Sequence, residues 1–347
     1  MISRIFKYSF VQAWARTMKG SLLTAEDWHF LQNMLTQADF LRYLSGTAYG
    51  ALLEPVAGAE MSEAVFSSAL YDHFFSQTAR LLRTLPKDGK RLLNSLLLRY
   101  DAENLKAILR GIRQGLTPAQ ITPLLYPLGS LSQLPVESLF QADRISTALE
   151  RLSATVFHGP LMQALAQFQA QQRLFPLEIA IDHTAFAHLR ADVKALGGLD
   201  RRKARDLIGA LVDATNLSWL VRFRHVYAIS AEECINYLLA GGAHLTIRDL
   251  GRLARAPDLR TFRESMPASI GATFVAVVNW EQIQWVAEHW FVDKLHSVFN
   301  SDPFQIGLPL SYHLLKEIEV KSLECHFSWL ALGNPSDTSV VPVPMPG

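Results

Sequence analysis

Residues Leu98–Arg110 read LRYDAENLKAILR, and residues Ala210–Arg222 read ALVDATNLSWLVR. Each stretch runs from apolar residues through D-A-x-N-L to further apolar positions and a closing arginine. Asp101 therefore aligns with Asp213, Asn104 with Asn216 and Arg110 with Arg222, at a constant offset of 112 residues. Upstream, Asp72-His73-Phe74-Phe75 faces Asp182-His183-Thr184-Ala185-Phe186 at an offset of 110. Downstream, Leu128-Gly129-Ser130-Leu131 faces Gly241-Gly242-Ala243-His244-Leu245. A fainter third copy is Tyr312–Leu323 (YHLLKEIEVKSL), with Glu317 or Glu319 at the aspartate position and Ser322 at that of the asparagine, 106 residues beyond Asn216. Three units near 110 residues account for most of the chain, whereas common helical solenoids repeat every 34 to 47 residues or so. The expected division is a first lobe over 1–115, a second over 116–228 and a third over 229–333. Part of the N-terminal helices is free to pack with the last lobe. A Pro-rich tail over 334–347, with Pro335, Pro342, Pro344 and Pro346, cannot be helical and is read as disordered or extended.

The period around the repeats is helical. Leu92, Leu93, Leu96 and Leu97 form a stripe that Leu105, Ile108 and Leu109 continue. Ile208, Leu211, Val212, Leu217, Leu220 and Val221 form a second, and Trp285, Val286, Trp290, Phe291 and Leu295 a third. Helix-start signals recur at Thr24, Ser62, Thr117-Pro118, Pro135, Ser230 and Thr246, several with carboxylates in the first turn. Pro86-Lys87-Asp88-Gly89 and Gly197-Gly198 read as loops, and the glycine pairs as helix ends. Strict alternation is absent, so the chain is read as all-α.

Within D-A-x-N-L, aspartate and asparagine are neighbours on one helix face, and the arginine stands to one side. Asparagine is disfavoured inside helices, so something outside the helix should use its amide. An adjacent loop or helix carbonyl would serve, pinning the register of Arg99, Asp101, Asn104 and Arg110, of Asp213, Asn216 and Arg222, and of Glu317 and Glu319 within their lobes.

Composition excludes several function classes. Lys and Arg total 33 against 32 Asp and Glu, so no global field attracts nucleic acid or an anionic membrane. Hydrophobic residues make up 49% and charged residues 19%, at a mean hydropathy of +0.11, which suits extensive partner contacts. The most apolar stretch, Pro267–Trp280, is too short for the roughly 20 residues of a bilayer span. Lys7, Arg16 and Lys19 interrupt any signal-peptide core at the N-terminus. Cys234 and Cys325 form no CxxC pair, which points to a reducing compartment and a cytosol-facing chain without lipid insertion.

Catalytic patterns are thin. Asp88-Gly89-Lys90-Arg91 lacks the glycine and hydroxyl of a phosphate cradle, and no G-x-S-x-G elbow occurs. His289, Asp293 and His296 share a helix face at i, i+4, i+7, but apolar residues surround them and no fourth ligand is near; a polar seam is preferred to a metal site. The densest positive cluster is Arg201-Arg202-Lys203-Ala204-Arg205, and Arg248, Arg252 and Arg255 form a second basic face. Without interleaved aromatics neither suits nucleic acid; each is a solvated face or a dock for an acidic partner. A helical-repeat scaffold with unrelated partners, or a helical-bundle metalloenzyme built on the His289 face, are the rival readings.

The triple repeat and Arg99-Tyr100-Asp101-Ala102-Glu103-Asn104-Leu105 resemble the C subunit of V-type and A-type ATPases, the counterpart of the d subunit in the eukaryotic vacuolar enzyme. Its members carry a K/R-Y-D-x-x-N-[IL] stretch followed by a leucine-arginine pair, here Leu109-Arg110. Tyr8, Ala15, Arg16, Leu22 and Leu23 fit the opening helix, with Thr17-Met18-Lys19 departing from it. Lys316–Leu323 fits the late motif, with Ser322 in place of asparagine and Cys325-His326 where a more arginine-rich helix is usual. The resemblance implies three helical-bundle lobes around a pseudo-threefold axis, forming a funnel with a central cavity. It implies a non-catalytic rotor adaptor, peripheral on the cytoplasmic side of the membrane, with no cofactor. Its partners would be the central-stalk subunits of the ATPase head and the membrane proteolipid ring, and torque would pass between them during ATP-coupled H⁺ or Na⁺ transport.

Overall fold

The computed structural model describes residues 2–53 and 61–332; the Pro-rich tail lies outside the described residues. In chain order the helices begin α1 (Ile2–Lys19), α2 (Ala25–Gln32), α3 (Gln37–Ser45), α4 (Gly50–Leu53), α5 (Glu63–Thr84) and α6 (Lys87–Gln114). Then come α7 (Pro118–Ile121), α8 (Val136–Leu139), α9 (Ile145–Arg151), α10 (His158–Gln171), α11 (Phe175–Ala195) and α12 (Gly198–Val221). The last are α13 (Ala231–Tyr237), α14 (Ile247–Ala254), α15 (Leu259–Glu264), α16 (Ala268–Gly271), α17 (Glu281–Phe299) and α18 (Gly307–Ala331). No strand occurs among the described residues, and the all-α reading holds.

Local chemistry sets the boundaries. Thr24 and Asp27 form a reciprocal capping box at the start of α2, and Thr246 and Asp249 repeat it at α14. Ser230 caps α13 through the Glu233 amide, and Thr117 precedes the Pro118 that opens α7. Two expected loops are helix starts instead. Pro86 is the N-cap of α6, because its missing N–H costs nothing there and Asp88 in the first turn suits the helix dipole. Gly197 is the N-cap of α12 rather than the end of α11, and Gly198 supplies a left-handed φ of 54° at the joint.

The chain divides by compactness into two units, Tyr71–Ala195 and the combination of Met1–Leu70 with Leu196–Gly347. These limits follow packing and do not coincide with the repeat boundaries. In the Tyr71–Ala195 unit, α6 lies antiparallel to α11. Leu105, Ile108 and Leu109 bury the inner stripe of α6 against Leu149, Phe157, Leu161, Leu177 and Ile181. Each such side chain contributes about 1.5–3 kcal/mol on burial. Polar rungs fix the register: Lys106 reaches Asp182 at 2.9 Å, Arg110 reaches Glu178 at 2.6 Å, and Ser95 and Arg91 both reach Asp192.

In the other unit, α12 packs on α17, and α18 packs on α1, α3 and α17. The unit joins the two ends of the chain. Asp200, in the first turn of α12, accepts from the Tyr8 hydroxyl at 2.7 Å, Lys7 Nζ at 3.0 Å and the Ile306 amide at 3.2 Å. Towards the other end of α18, Phe40, Phe66 and Phe327 form an aromatic core, the last two with ring centroids 4.2 Å apart.

Candidate functional site

The repeated polar residues are clamps between a long helix and a following loop. In α6, Asn104 Nδ2 donates to the Tyr126 carbonyl at 2.9 Å and Oδ1 accepts from the Tyr126 amide at 2.7 Å. Asp101 accepts from Ser132 Oγ at 2.6 Å and from the Gln133 amide at 2.9 Å. In α12, Asn216 grips Leu239 in the same two-bond manner, at 2.8 and 2.7 Å. Asp213 accepts from the amides of Ala243, His244 and Leu245 at 2.9, 2.8 and 3.2 Å. One side chain thus satisfies both backbone polar groups of a single residue, and its neighbour collects donors from the loop beyond.

The clamp dictates a glycine. A Cβ on Gly242 would overlap Asp213 Oδ1 and lie 2.8 Å from the Leu245 carbonyl oxygen, so only a bare backbone can approach. Burial of Asp213 outweighs its three amide donors and pushes its carboxyl up to about 6; burial moves Asp101 the same way.

The third motif helix, α18, uses a carboxylate too. Glu319 accepts from the Leu23 amide and from the Tyr49 hydroxyl, each at 2.6 Å. Lys316 Nζ donates to Glu319 and to Tyr49 Oη, each at 2.8 Å, and stands 4.2 Å from the Tyr49 ring centroid. The desolvated Tyr49 hydroxyl beside Glu319 is held well above its usual range and stays a donor. Here the clamped segment precedes its helix by nearly the whole chain. Glu317, by contrast, pairs with Lys321 at 2.7 Å, and Ser322 is buried without the two-bond grip.

The remaining sequence-selected residues lie elsewhere. Arg99 Nε donates to the Leu96 carbonyl at 3.3 Å. Arg222 is exposed where α12 loosens into a π-turn over Arg222–Val226. Arg201, Arg202 and Arg205 are exposed on the first turns of α12, with Lys203 half-buried 3.8 Å from Asp302 and Arg205 3.4 Å from Asp206. Arg248 is exposed; Arg252 pairs with Asp249, and Arg255 pairs with Glu232 at 3.3 Å and donates to the Gly251 carbonyl. The clamps are interior and the basic faces are surface, so no single pocket gathers them. His289 Nδ1 lies 3.0 Å from the Trp285 carbonyl oxygen and its ring 3.8 Å from that indole. Among the described residues no three His, Cys, Asp or Glu side chains are grouped to hold a metal ion. None of the described helices is long and apolar enough to cross a membrane.

Sequence reasoning missed the clamp recipients and the Lys316–Glu319–Tyr49 cluster. A signal for the recipients existed: Tyr126 and Leu239 follow their asparagines by 22 and 23 residues, and Gln133 and Leu245 both follow their aspartates by 32.

A family model described as ATP synthase (C/AC39) subunit matches residues 11–325. The chain belongs to the ATP synthase (C/AC39) subunit family. Among its relatives is the C subunit of the A-type ATP synthase of Methanocaldococcus jannaschii, 21% identical, covering 93% of this chain and 83% of the relative. The proteins of the same name from Halorubrum lacusprofundi and Haloferax volcanii are 26% and 24% identical, each with 90% of both chains covered. Every clamp residue of the three copies falls inside the matched region of this ATP synthase family member, as do α6 and α12 whole, while α18 runs on to Ala331.

Proposed function

We propose that this C/AC39-family chain is the non-catalytic central-rotor adaptor of a V/A-type rotary ATPase. In this reading it links the central stalk of the head to the membrane proteolipid ring, on the cytoplasmic side, and transmits torque for ATP-coupled ion transport. Three lobes, divided near 115/116 and 228/229, would surround a pseudo-threefold axis and leave a cavity for the stalk. The basic faces at Arg201–Arg205 and Arg248–Arg255 would meet acidic partner surfaces.

The observation that carries the proposal is the thrice-used clamp: a buried carboxylate on α6, α12 and α18 ties each helix to a separate segment by hydrogen bonds. Torque is transmitted only by elements that do not shear, and a buried, satisfied polar network resists shear more than an apolar contact that can slide. The third clamp drawing on the N-terminal segment supports closure of the units on themselves.

The test is deletion and replacement in the host. Without this chain, membranes should lose ATP-driven ion pumping while the detached head still hydrolyses ATP. The wild-type chain should restore coupling and co-purify with stalk and ring proteins in mild detergent. Recovery of the chain only as a free monomer overturns the reading.

A further inference from the structure

A strongly basic tip lies where α5 turns into α6. Residues Arg80–Arg91 read RLLRTLPKDGKR. Arg80 and Arg83 share the exposed face at the end of α5, and Lys87 and Lys90 share that of the first turn of α6, each pair three residues apart. Lys194, in the last turn of α11, stands at the same end of the Tyr71–Ala195 unit, because its neighbour Asp192 is held by Arg91 at 2.8 Å and by Ser95 at 2.6 Å. Arg80, Arg83, Lys87, Lys90 and Lys194 are all exposed, and among the described residues no carboxylate pairs with any of them. Asp88, the one carboxylate on these turns besides Asp192, is exposed and equally unpaired.

Elsewhere the chain interleaves its charges. Arg42 pairs with Asp39 and Arg260 with Glu264. The basic faces selected from the sequence are largely matched as well: Lys203 meets Asp302, Arg205 meets Asp206, Arg252 meets Asp249 and Arg255 meets Glu232, while Arg201 donates to the Leu196 carbonyl. Helix stability does not account for the tip either. Arg83 and Lys194 suit the negative ends of the α5 and α11 dipoles, but Lys87 and Lys90 stand at the positive end of α6, where cations are disfavoured and carboxylates preferred.

The surroundings narrow the occupant. Among the described residues no large hydrophobic side chain is exposed between Val65 and Leu124 in the chain, so the tip offers nothing to insert among lipid headgroups. A uniformly anionic lipid surface would also repel Asp88, which stands among the cations. A protein surface with discrete charges accommodates both signs.

We infer that the Arg80–Arg91 tip, with Lys194, docks an acidic segment of another protein of the complex, a run of Asp and Glu with a basic residue opposite Asp88. The inference rests on the adaptor reading for the presence of such a neighbour, and it names a place where that neighbour is met.

Two measurements test it. Treating the intact membrane-bound complex with a water-soluble carbodiimide joins an ammonium to a carboxylate where the two are already in contact. The expected product links Lys87, Lys90 or Lys194 to an Asp or Glu of one other protein. Lys87→Glu with Lys90→Glu should raise the melting temperature of the isolated chain, because carboxylates suit that helix end. The same variant should slow reassociation with membranes from a host lacking the chain by about 10- to 100-fold at low salt, and less as salt rises. Arg113→Glu with Arg173→Glu makes the same change of charge at the other ends of α6 and α11 and should leave the rate near wild type. Links confined to lipid, to a second copy or to this chain, no links in an intact complex, a lowered melting temperature, or equal slowing in both variants overturns the tip and leaves the adaptor reading standing. Binding of the wild-type chain alone to vesicles of equal parts phosphatidylcholine and phosphatidylglycerol, lost in the lysine variant, overturns it in favour of a membrane contact. Failure of the wild-type chain to enter any complex overturns both readings.

Discussion

The backbone amide of Leu23 donates to a carboxylate oxygen of Glu319 at 2.6 Å, across 296 residues of chain. It is the long-range counterpart of the local grips at Asp101 and Asp213. Where α6 and α12 hold loops that follow them, α18 holds a segment from the other end of the sequence, and Tyr49 joins the same carboxylate. Glu319 is fully buried and its cation Lys316 nearly so, so the pair is uncompensated once either is removed.

Glu319→Ala should therefore lower stability by about 3–5 kcal/mol, since it leaves a buried ammonium without its carboxylate, orphans the Leu23 amide and removes the acceptor of the Tyr49 hydroxyl. Glu319→Gln keeps an acceptor for Leu23 and should cost distinctly less. Urea unfolding of the two variants against wild type separates them. Equal losses would show that the carboxylate charge and its cation are not the source of the effect.

The asparagines make a second, local prediction. Asn104→Ala and Asn216→Ala each delete two hydrogen bonds and strand the backbone N–H and C=O of one residue, Tyr126 or Leu239. Each should cost about 2–4 kcal/mol. The clamps share no partner, so the double variant should equal the sum within about 0.5 kcal/mol. Denaturation of the three variants checks this, with amide exchange at Tyr126 and Leu239 as the local readout.

Asp213 predicts a pH dependence whose sign is opposite to that of an exposed, ion-paired carboxylate. Burial raises its folded value to about 6 from an ordinary 3.8. Below pH 4 both folded and unfolded chains hold the proton. Between roughly pH 4 and 6 the unfolded chain releases it first, so stability falls as pH rises, and above pH 6 this contribution is flat. The loss is on the order of 2–3 kcal/mol at 1.36 kcal/mol per unit. Burial moves Asp101, Asp182 and Glu288 in the same direction, so the measurement must be a difference. Stability at pH 4 and at pH 7 should differ less in Asp213→Asn than in wild type by that amount; an unchanged difference rejects the assignment.

How far the sequence could be read depends on the range of the interactions involved. Helix existence and caps at Thr24, Ser230 and Thr246 are local chemistry, and they are legible residue by residue. Asp101 and Asn104 announce themselves because polar residues inside an apolar helical stripe need partners. Which peptides they seize is set by a loop path about 22 to 32 residues long, and single-residue patterns do not encode such a path. Glu317 and Glu319 are equally good candidates from the sequence. Both are buried, and only the packing of the N-terminal segment against α18 gives Glu319 the Leu23 amide and the Tyr49 hydroxyl while Glu317 pairs with Lys321. Likewise Pro267–Trp280, the most apolar stretch, is not wholly interior. Val275 and Val278 are exposed, because α16 and the following short turn bury residues three or four apart, Ile270, Phe274 and Val277.

Asp200 offers the sharpest dissection of how the chain's ends are joined. Its carboxylate receives Tyr8 Oη, Lys7 Nζ and the Ile306 amide, and one turn beyond Tyr8 on α1 Gln12 Oε1 accepts from the Phe304 amide at 2.6 Å. Replacing Asp200 by alanine strands a buried hydroxyl and a buried amide and leaves two basic side chains of α1 without their carboxylate. Such a loss costs about 3–5 kcal/mol when the group is buried, and it falls on the contact that seats α1. The expected outcome is local: amide exchange in α1 should accelerate strongly while α6 and α11 keep their protection, because their polar rungs at Lys106 and Arg110 are independent of Asp200. Asp206→Ala, at an exposed site a turn and a half along the same helix, should change neither region. Uniform acceleration through both units would mean that Asp200 stabilises the whole chain cooperatively rather than fastening one helix.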